Sequence, residues 1–484
     1  MGESHMSIPG STDAGKAKLG ARRPLGSTAM QCLPLGFGGY RLQRGLSAHH
    51  DALHRFLSAG GNLIDTSANY GLGDSELLCG EVLREVDRDS VIVVTKAGYI
   101  QGQNKATAVQ QGYPEVVKFA PDVWHCVHPA FLRDQFQLSC ARLGVPRIDV
   151  YLLHNPEYFL KDAGQRGQDV PSARSEFYRR LASAFEYLEE LVAAGKLSWY
   201  GVSSNTLGTP SELPEHVSLI EILRAARGVG SGHHFRVVQL PLNLLERGPA
   251  TLKVEEGRSV LACARDAGLG VLANRPLNAI VDGSLIRLAD EGPSPAAPDA
   301  AARALARLAQ QEEAFRAEFD FPLLGGGMGA AGWLAPLLEH LPSLEEFRMA
   351  ISQAFTPAAN TWLVNADRAL RADSRYPGWR SEFAARLDAA ILALQQNTAS
   401  GLHLRALAVR QALERAGAPT SPTLSQLALA TVLQLSGVSC VLNGMRRPAY
   451  VDDSLGALDV CLPDALHVLE KLGSDSNFRL PPRG

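Results

Sequence analysis

The sequence predicts an α/β fold: a (β/α)8 TIM barrel with a large helical insertion between its seventh and eighth strands. Eight short apolar runs alternate with amphipathic stretches, the pattern of parallel βαβ units. The runs carry few polar residues, as expected for strands of a sheet covered on both faces. A late region without such runs explains most of the excess of 484 residues over the roughly 250 of a simple barrel.

The predicted strands are spaced along the whole chain. In order they are 33–38, 62–65, 91–96, 149–154, 199–203, 237–240, 270–274 and the run VSCVLNG at 438–444. Apolar residues recurring at helical spacing predict helices at 47–59, 131–143 and 177–194. The stretch TLSQLALATVLQL predicts the helix that precedes the last strand.

The region 281–420 is predicted to be a helical insertion. It opens with the Pro/Ala-rich linker DEGPSPAAPDAAA and continues with helical patterns at 300–319, 343–355 and 379–416, uninterrupted by strand-like runs. We therefore divide the chain into a flexible tail (1–22), seven barrel strands (23–280), the insertion (281–420) and the last helix, strand and tail (421–484). The insertion would serve as a lid, a homo-oligomer contact or a partner dock, or would simply pack on the rim of the barrel.

Charge and cysteine content limit the partners. The 47 Lys and Arg nearly balance the 50 Asp and Glu, so electrostatics gives no reason to expect nucleic acid or an anionic membrane as a partner. Seven scattered cysteines without a C-x-x-C pair predict reduced thiols and a cytoplasmic protein. No apolar run approaches the ~20 residues of a membrane helix, and the first twenty residues lack the core of a signal peptide.

Four polar residues stand at or just after the ends of three successive runs: Asp65 and Tyr70, then Lys96, then His154. Because barrel enzymes place catalytic residues at the carboxyl ends of their strands, we expect these four to meet. A hydride that reaches a carbonyl carbon leaves an alkoxide, which a phenol can protonate. A buried lysine would lower the phenol's pKa from about 10, the aspartate would hold the lysine, and the imidazole would orient the carbonyl.

Each of the four residues also has an ordinary structural interpretation. An aspartate before a turn commonly caps it, a tyrosine commonly packs, and a lysine at a strand end is commonly solvated. A histidine there is commonly a satisfied core residue. Their combination, in this order and at these strand ends, favours carbonyl reduction.

These residues lie in motifs that resemble the aldo-keto reductase superfamily, NAD(P)H-linked oxidoreductases built on a (β/α)8 barrel. RPLGSTAMQCLPLGFGGYRL resembles that family's N-terminal hairpin and first strand, and GGNLIDTSANYGLGDSELLCGEVL resembles its most diagnostic motif. RLGVPRIDVYLLHNPE and GKLSWYGVSSNT resemble the next two motifs, and VLNGMRRPAYVDDSLGAL resembles the adenosine-binding segment. The resemblance covers roughly 23–280 and 423–458.

The resemblance implies a role for each matching position. Tyr70 would be the general acid, Lys96 would tune its pKa, Asp65 would pair with Lys96, and His154 would orient the carbonyl. Ser203, Ser204, Asn205 and Gln239 would hold the nicotinamide carboxamide. The further implied cofactor-binding residues are Gly38, Gly39, Tyr40, Asn155, Asn274, Arg275, Leu277, Gly444, Met445, Arg446, Asp453 and Ser454.

The sequence departs from the family pattern at three cofactor positions, one of which is Tyr450, where the family usually has a basic residue. Asn274 stands where the family usually places an aromatic ring against the nicotinamide, and Ser454 replaces a usual asparagine. Arg446 and Arg447 are candidates for a 2′-phosphate, because guanidinium forks suit phosphate. We therefore expect NADP as the cofactor, with NAD as the alternative.

The segment that follows Lys96 is longer than a barrel loop requires. We expect it to form a loop that lines the mouth of the barrel. Its HCVH motif, His125 to His128, has no second group of ligands near in sequence, so we predict no metal site.

The sequence thus predicts an NAD(P)H-dependent enzyme that reduces an aldehyde, ketone or sugar-like carbonyl, or runs the reverse oxidation. The alternative is a cofactor-binding redox sensor or scaffold with little turnover, which engages a partner through the insertion. A third interpretation embeds the hydride step in a redox-neutral isomerisation or a dehydration. Activity against a panel of carbonyls separates the first two interpretations, and product analysis identifies the third.

Overall fold

The computed structural model describes residues 20–281, 283–293, 297, 299–338 and 343–480. Eight parallel strands close into a barrel in which neighbours follow the order of the chain, and the last strand pairs with the first. This confirms the predicted fold. We number the barrel strands β1 (Leu35–Gly38), β2 (Leu63–Asp65), β3 (Ile92–Ala97), β4 (Ile148–His154), β5 (Leu197–Ser203), β6 (Phe235–Pro241), β7 (Gly270–Asn274) and β8 (Cys440–Asn443).

The strand register brings polar residues into one row at the carboxyl end of the barrel. Ser203 of β5 pairs with His154 of β4 on one side and with Gln239 of β6 on the other. Asp65 ends β2, and Lys96 is the penultimate residue of β3. Parallel strands end at a common edge, so residues that are far apart in sequence meet there.

Helices alternate with these strands. They are Ser47–Ser58, Asp74–Leu83, Pro129–Leu143, Tyr158–Gln165, Val170–Ala193, Leu219–Val229, Gly248–Thr251, Val260–Asp266, Leu424–Leu433 and Pro448–Gly456, with 3-10 turns at Tyr70–Gly73, Arg88–Ser90 and Ala457–Asp459. The predicted helix at 177–194 begins earlier than expected, because Asp169 caps it by accepting a hydrogen bond from Ser172 N.

A short hairpin, Arg23–Pro24 paired with Gln31–Cys32, packs at the amino end of the barrel. Leu25 and Cys32 join the buried cluster formed by the strand interiors. Gly26 permits this contact: it has φ +58°, and a Cβ there would lie 2.2 Å from Gly270 N at the start of β7. The hairpin therefore closes the end of the barrel opposite the row of polar residues.

The long segment after β3 is ordered secondary structure, whereas the sequence predicted a loop. It contains the helix Gln103–Gln111 and a three-stranded antiparallel sheet of Tyr99–Ile100, Val123–His125 and Val117–Ala120. We call the three strands the accessory sheet. Cys126 N donates to Gly98 O at 2.8 Å, which fastens the accessory sheet to the end of β3.

The chain divides into two compact units: one comprises 1–241, 248–274 and 432–461, and the other 242–247, 275–431 and 462–484. The second unit has its own core, in which Trp379 stacks on Phe383 and packs against Phe315 at a tilt. Its helices are Ala300–Glu318, Leu324–Gly327, Gly329–Leu334, Leu344–Met349, Thr356–Ala369, Tyr376–Arg415 and Ala465–Ser474, with a 3-10 turn at Ala335–Leu338 and a π-helix at Ala350–Phe355.

One element of the second unit departs from the expectation of helices alone. An antiparallel hairpin joins Asn278–Val281 to Ser284–Arg287. The connection contains an Asp-Gly dipeptide at 282–283, and Gly283 has φ +71°. Asp-Gly between two strands is a strong hairpin signal, because both central positions of the tight turn need positive φ.

None of the helices that the structure describes is both long enough and apolar enough to cross a membrane.

Candidate active site

The site is built around a buried ion pair at the ends of β2 and β3. Lys96 has no exposed surface, and its Nζ lies 2.8 Å from both carboxylate oxygens of Asp65. Nζ also donates to Thr66 O at 2.8 Å and to Tyr70 Oη at 3.3 Å. A lysine ammonium has three protons and no acceptor, so these partners use its full donor capacity.

Tyr70 lies in the 3-10 turn Tyr70–Gly73, directly after β2. Because Lys96 donates to Tyr70 Oη, the phenol's own proton is free to point elsewhere. The ring meets Tyr40 edge-on at 5.2 Å and His154 edge-on at 5.8 Å between centroids. The turn contains Gly71 and Gly73, both with positive φ, which lets the chain reverse within one turn.

His154 ends β4 beside the phenol and is buried. Its Nδ1 lies 3.0 Å from Ser67 Oγ, which also contacts Asn69 Oδ1 at 2.7 Å. Ser67 has one hydroxyl proton, which donates to Asn69 Oδ1 in the structure; only when that proton turns to Nδ1 does the neutral imidazole carry its own proton on Nε2 and donate a hydrogen bond there. Ser67 therefore controls which nitrogen of His154 is the donor.

Burial dominates the electrostatics of the four residues. It raises the pKa of Asp65 and lowers the pKa of Lys96, and their mutual attraction opposes both shifts. Burial, reinforced by the charge of Asp65, raises the pKa of Tyr70 well above its ordinary value. The sequence predicted that Lys96 would lower the phenol's pKa, whereas in the structure burial acts most strongly and in the opposite direction. The pKa of His154 is held well below its usual range by burial and then by Lys96.

A chain of amides extends from this ion pair across β6 to β7. Gln239 Nε2 donates to Asp65 Oδ1 at 2.8 Å, and Gln239 Oε1 accepts from Ser203 Oγ at 3.1 Å and from Asn274 Nδ2 at 3.2 Å. Asn274 Oδ1 is buried and has no hydrogen-bond partner in the protein. A buried acceptor left without a partner is costly, so this atom indicates a position where a ligand donor fits.

The neighbouring polar positions are fixed by the backbone. Ser204 N donates to Gln239 O at 3.0 Å, and Asn205 N donates to the buried carboxylate of Glu157 at 2.8 Å. Asn155 has φ +53°, and its N donates to Ser203 O at 2.7 Å. The structure thus places Ser203, Ser204, Asn205 and Asn155 along the same rim as His154.

The predicted glycine positions lie at the end of β1. A Cβ on Gly38 would lie 3.2 Å from the backbone of Asn443, and one on Gly39 would lie 2.7 Å from Ser75 Oγ. Gly39 N donates to Asp65 O at 2.8 Å, while Tyr40 is 63% exposed. Close backbone packing at this rim therefore requires glycine.

The predicted adenosine segment follows β8. Met445 is fully buried, and Ser454 is held by Asn443 Nδ2 at 2.8 Å while it donates to Tyr450 O at 2.6 Å. Arg447 immediately precedes the helix Pro448–Gly456, whose N-terminus favours anions. Gly444, Arg446 and Asp453 belong to the same stretch of the first unit.

Two predicted cofactor residues, Arg275 and Leu277, belong to the second unit. Arg275 has φ +54° and forms an ion pair with Glu246 of the same unit. Leu277 is buried there.

The accessory sheet supplies residues at the site for which the sequence gave no role. His125 Nε2 donates to His154 O at 2.7 Å, and Tyr99 Oη accepts from Asn155 Nδ2 at 2.7 Å. The Tyr99 ring also meets the His154 ring edge-on at 4.9 Å. The HCVH motif is thus engaged in hydrogen bonds: Cys126 Sγ lies 3.5 Å from Pro114 O, and His128 caps the helix Pro129–Leu143.

Known proteins provide an independent comparison. An NADH-specific methylglyoxal reductase of Escherichia coli (strain K12) is 27% identical over 189 residues, covering 37% of this chain and 51% of that protein. A D-threo-aldose 1-dehydrogenase of a Pseudomonas species is 29% identical over 196 residues, covering 38% and 54%. The chain spans about half the length of these curated relatives.

Among solved structures, an aldo-keto reductase from Bacillus halodurans in its holo form aligns with 93% of this chain and 96% of its own, at a TM-score of 0.49 and 16% identity. The model of the aldo/keto reductase family matches residues 34–312, more than half of the chain. That stretch contains the first seven barrel strands together with Asp65, Tyr70, Lys96 and His154. The chain belongs to the aldo/keto reductase family.

Proposed function

We propose that this protein is an NAD(P)H-dependent carbonyl reductase in which Tyr70 is the proton donor. The observation that carries the proposal is the hydrogen bond from Lys96 Nζ to Tyr70 Oη, which leaves the phenol's proton for a substrate oxygen. The raised pKa of Tyr70 keeps this proton in place at neutral pH.

The residues of the rim fit a nicotinamide cofactor. Asn274 Oδ1 is a buried acceptor that matches a carboxamide NH₂, and Ser203 and Gln239 lie beside it. When bound, the nicotinamide would supply the hydride. Arg446 and Arg447, next to a helix N-terminus, would hold the adenosine phosphates. We propose NADP as the cofactor. NAD is tested beside it, because one relative is described as NADH-specific.

The protein's own groups then complete the reaction. His154 would donate from Nε2 to the carbonyl oxygen and orient it, provided that Ser67 holds the tautomer. Tyr70 would transfer its proton to the developing alkoxide, and Lys96 would stabilise the phenolate that remains. Asp65 keeps Lys96 charged and in place throughout.

The test is the substitution Tyr70→Phe. We expect turnover to fall by a factor of about 100 or more, because the donated proton is lost, while dinucleotide affinity changes less than about threefold. Turnover is followed by NADPH and NADH absorbance with a panel of aldehydes, ketones and sugars that includes methylglyoxal. Binding is followed by protein fluorescence.

Tyr113→Phe is the matched control, since Tyr113 bonds Asp134 away from the site and should not affect turnover. Unchanged turnover in Tyr70→Phe would refute the mechanism. Tight dinucleotide binding by the unmodified protein without turnover of any carbonyl would favour the redox-sensor alternative.

A further inference from the structure

Two histidines and a glutamate converge on the outer layer of the barrel, away from the residues of the active site. His50 and His54 are one turn apart on the helix Ser47–Ser58, and Glu85 follows the helix Asp74–Leu83. His54 Nε2 lies 2.7 Å from Glu85 Oε2, and His50 Nε2 lies 3.3 Å from Glu85 Oε1. We propose that His50, His54 and Glu85 bind a divalent transition-metal ion.

The spacing of the histidines suits shared ligation. Residues four apart on a helix lie on one face, and the two imidazole centroids are 4.7 Å apart. One ligand atom from each of the three residues lies within 4.8 Å of the others. A tetrahedral zinc ion with bonds of about 2.1 Å separates its ligand atoms by about 3.4 Å, so small side-chain rotations suffice.

The chemistry of the ligands selects the class of metal. Two imidazole nitrogens and one carboxylate oxygen suit Zn²⁺, Ni²⁺ or Cu²⁺ far better than Mg²⁺ or Ca²⁺, which prefer oxygen. The side chains are partly exposed, at 32% for His50, 31% for His54 and 49% for Glu85. An ion could therefore enter from solvent and keep at least one water ligand.

An ordinary surface ion pair is the competing interpretation. Exposed pairs contribute little to stability, although each imidazole can donate its Nε2 proton to Glu85 without a metal; a bound ion would replace these two hydrogen bonds. The arginines on these segments pair with carboxylates other than Glu85: Arg44 pairs with Glu81, and Arg55 pairs with Asp452. Among the residues that the structure describes, this is the one group of three such side chains close enough to share an ion.

The proposed consequence is a metal cross-link between two helices of the barrel. A metal bound here would tie the helix Ser47–Ser58, which follows β1, to the end of the helix Asp74–Leu83, which follows β2. Binding to the folded state alone raises the unfolding temperature as the metal concentration rises above its dissociation constant. The site would thus add stability without contributing an atom to the reaction.

The test is titration of the untagged full chain with Zn²⁺ and with Co²⁺, by calorimetry and by the visible spectrum of bound Co²⁺. Cys461 is an exposed thiol that can also bind these ions, so the titrations use a Cys461→Ser background. We expect one ion per chain and a higher unfolding temperature. His54→Gln and Glu85→Gln should each weaken binding at least tenfold and abolish the temperature rise.

The matched control is His234→Gln. His234 also contacts a carboxylate, Glu189 at 2.8 Å, but it belongs to no such group of three. The His234→Gln variant should bind the metal as the unmodified protein does. Melting curves without metal check that all variants fold. Absence of binding in the unmodified protein, or equal binding by His54→Gln and Glu85→Gln, would overturn the proposal.

Discussion

His125 is a fully buried imidazole whose Nε2 donates to the carbonyl oxygen of His154. Burial lowers its pKa from 6.5 to about 4, so the folded protein holds it neutral. The unfolded chain binds that proton more tightly than the folded protein does. Folding stability is therefore fully present above about pH 6.5 and decreases as the pH falls towards 4.

This difference predicts an acid-sensitive stability at the residue scale. His125 should contribute a loss of about 3 kcal/mol between pH 6.5 and 4, from about 1.36 kcal/mol per pKa unit. His125→Gln can retain the donated hydrogen bond without the titration. We expect its free energy of unfolding, measured with urea at several pH values, to depend less steeply on pH.

His467→Gln, at an exposed position of the helix Ala465–Ser474, serves as the control and should keep the slope of the unmodified protein. An equally steep slope in His125→Gln would contradict the prediction. His154, whose pKa is also lowered by burial, should leave part of the slope in every variant.

The four central site residues could be predicted from the sequence because strand ends meet at one edge of a barrel. Ser67 and His125 could not, since their roles depend on contacts with His154 that no strand pattern encodes. His50 and His54 lie four residues apart in the predicted helix 47–59, but the sequence gave them no role. Glu85, some thirty residues later, meets them only through the packing of two helices.

At the scale of elements, the accessory sheet meets the rim that carries His154 at Gly98, just after β3. A Cβ on Gly98 would lie 2.5 Å from both His125 Nε2 and His154 O, between a donor and its acceptor. The close approach of the accessory sheet to β4 therefore depends on a glycine at this position.

The added methyl group of Gly98→Ala should push His125 Nε2 away from His154 O. We expect a loss of about 1 to 3 kcal/mol in unfolding free energy, because the insertion of a methyl group into a tight contact forces the backbone to shift. Turnover should fall as well, since His154 loses its support. Urea unfolding and steady-state kinetics measure the two effects.

Gly228→Ala is the control: its Cβ would meet nothing within 4 Å, and alanine favours the helix Leu219–Val229. It should leave turnover unchanged and raise stability slightly. Gly98→Ala with unaltered stability and turnover would show that the accessory sheet does not support the site.

The strands of the barrel were predictable, and the strands of the accessory sheet and of the second unit were not. The barrel strands were placed within about two residues, because buried parallel strands are apolar along their length. The hairpin at Asn278–Val281 and the accessory sheet consist of strands of two to four residues. These strands lie outside the alternation of apolar runs and helices that marks the barrel, and the sequence predicted none of them.

At the scale of the whole molecule, two separate cores divide the stability of the chain. Phe315 is fully buried in the core of the second unit, 4.3 Å from Trp379 between ring centroids. Phe185 is its counterpart in the barrel unit and packs against Tyr200 and Phe235. Of the five tryptophans, Trp333, Trp362 and Trp379 belong to the second unit.

Phe315→Ala should remove about 3 to 5 kcal/mol from the second unit, through lost burial and the cavity that remains. Tryptophan fluorescence during urea unfolding reports mainly on that unit, whereas dinucleotide binding reports on the barrel rim. We expect Phe315→Ala to lower the urea midpoint of the fluorescence transition more than the urea midpoint at which dinucleotide binding is lost. We expect Phe185→Ala to lower the midpoint for binding more than the midpoint for fluorescence. Coincident shifts in both variants would mean that the chain unfolds as one cooperative unit.

The long separation of β7 and β8 along the chain affects how the barrel forms during synthesis. The two strands share only two paired positions, yet about 165 residues separate them along the chain. Closing so long a loop costs only about 1 kcal/mol more than closing one of forty residues. During translation, however, seven strands leave the ribosome well before the eighth, so β1 and β7 remain unpaired edges for many seconds. Aggregation during synthesis is therefore the hazard that this arrangement of the chain creates.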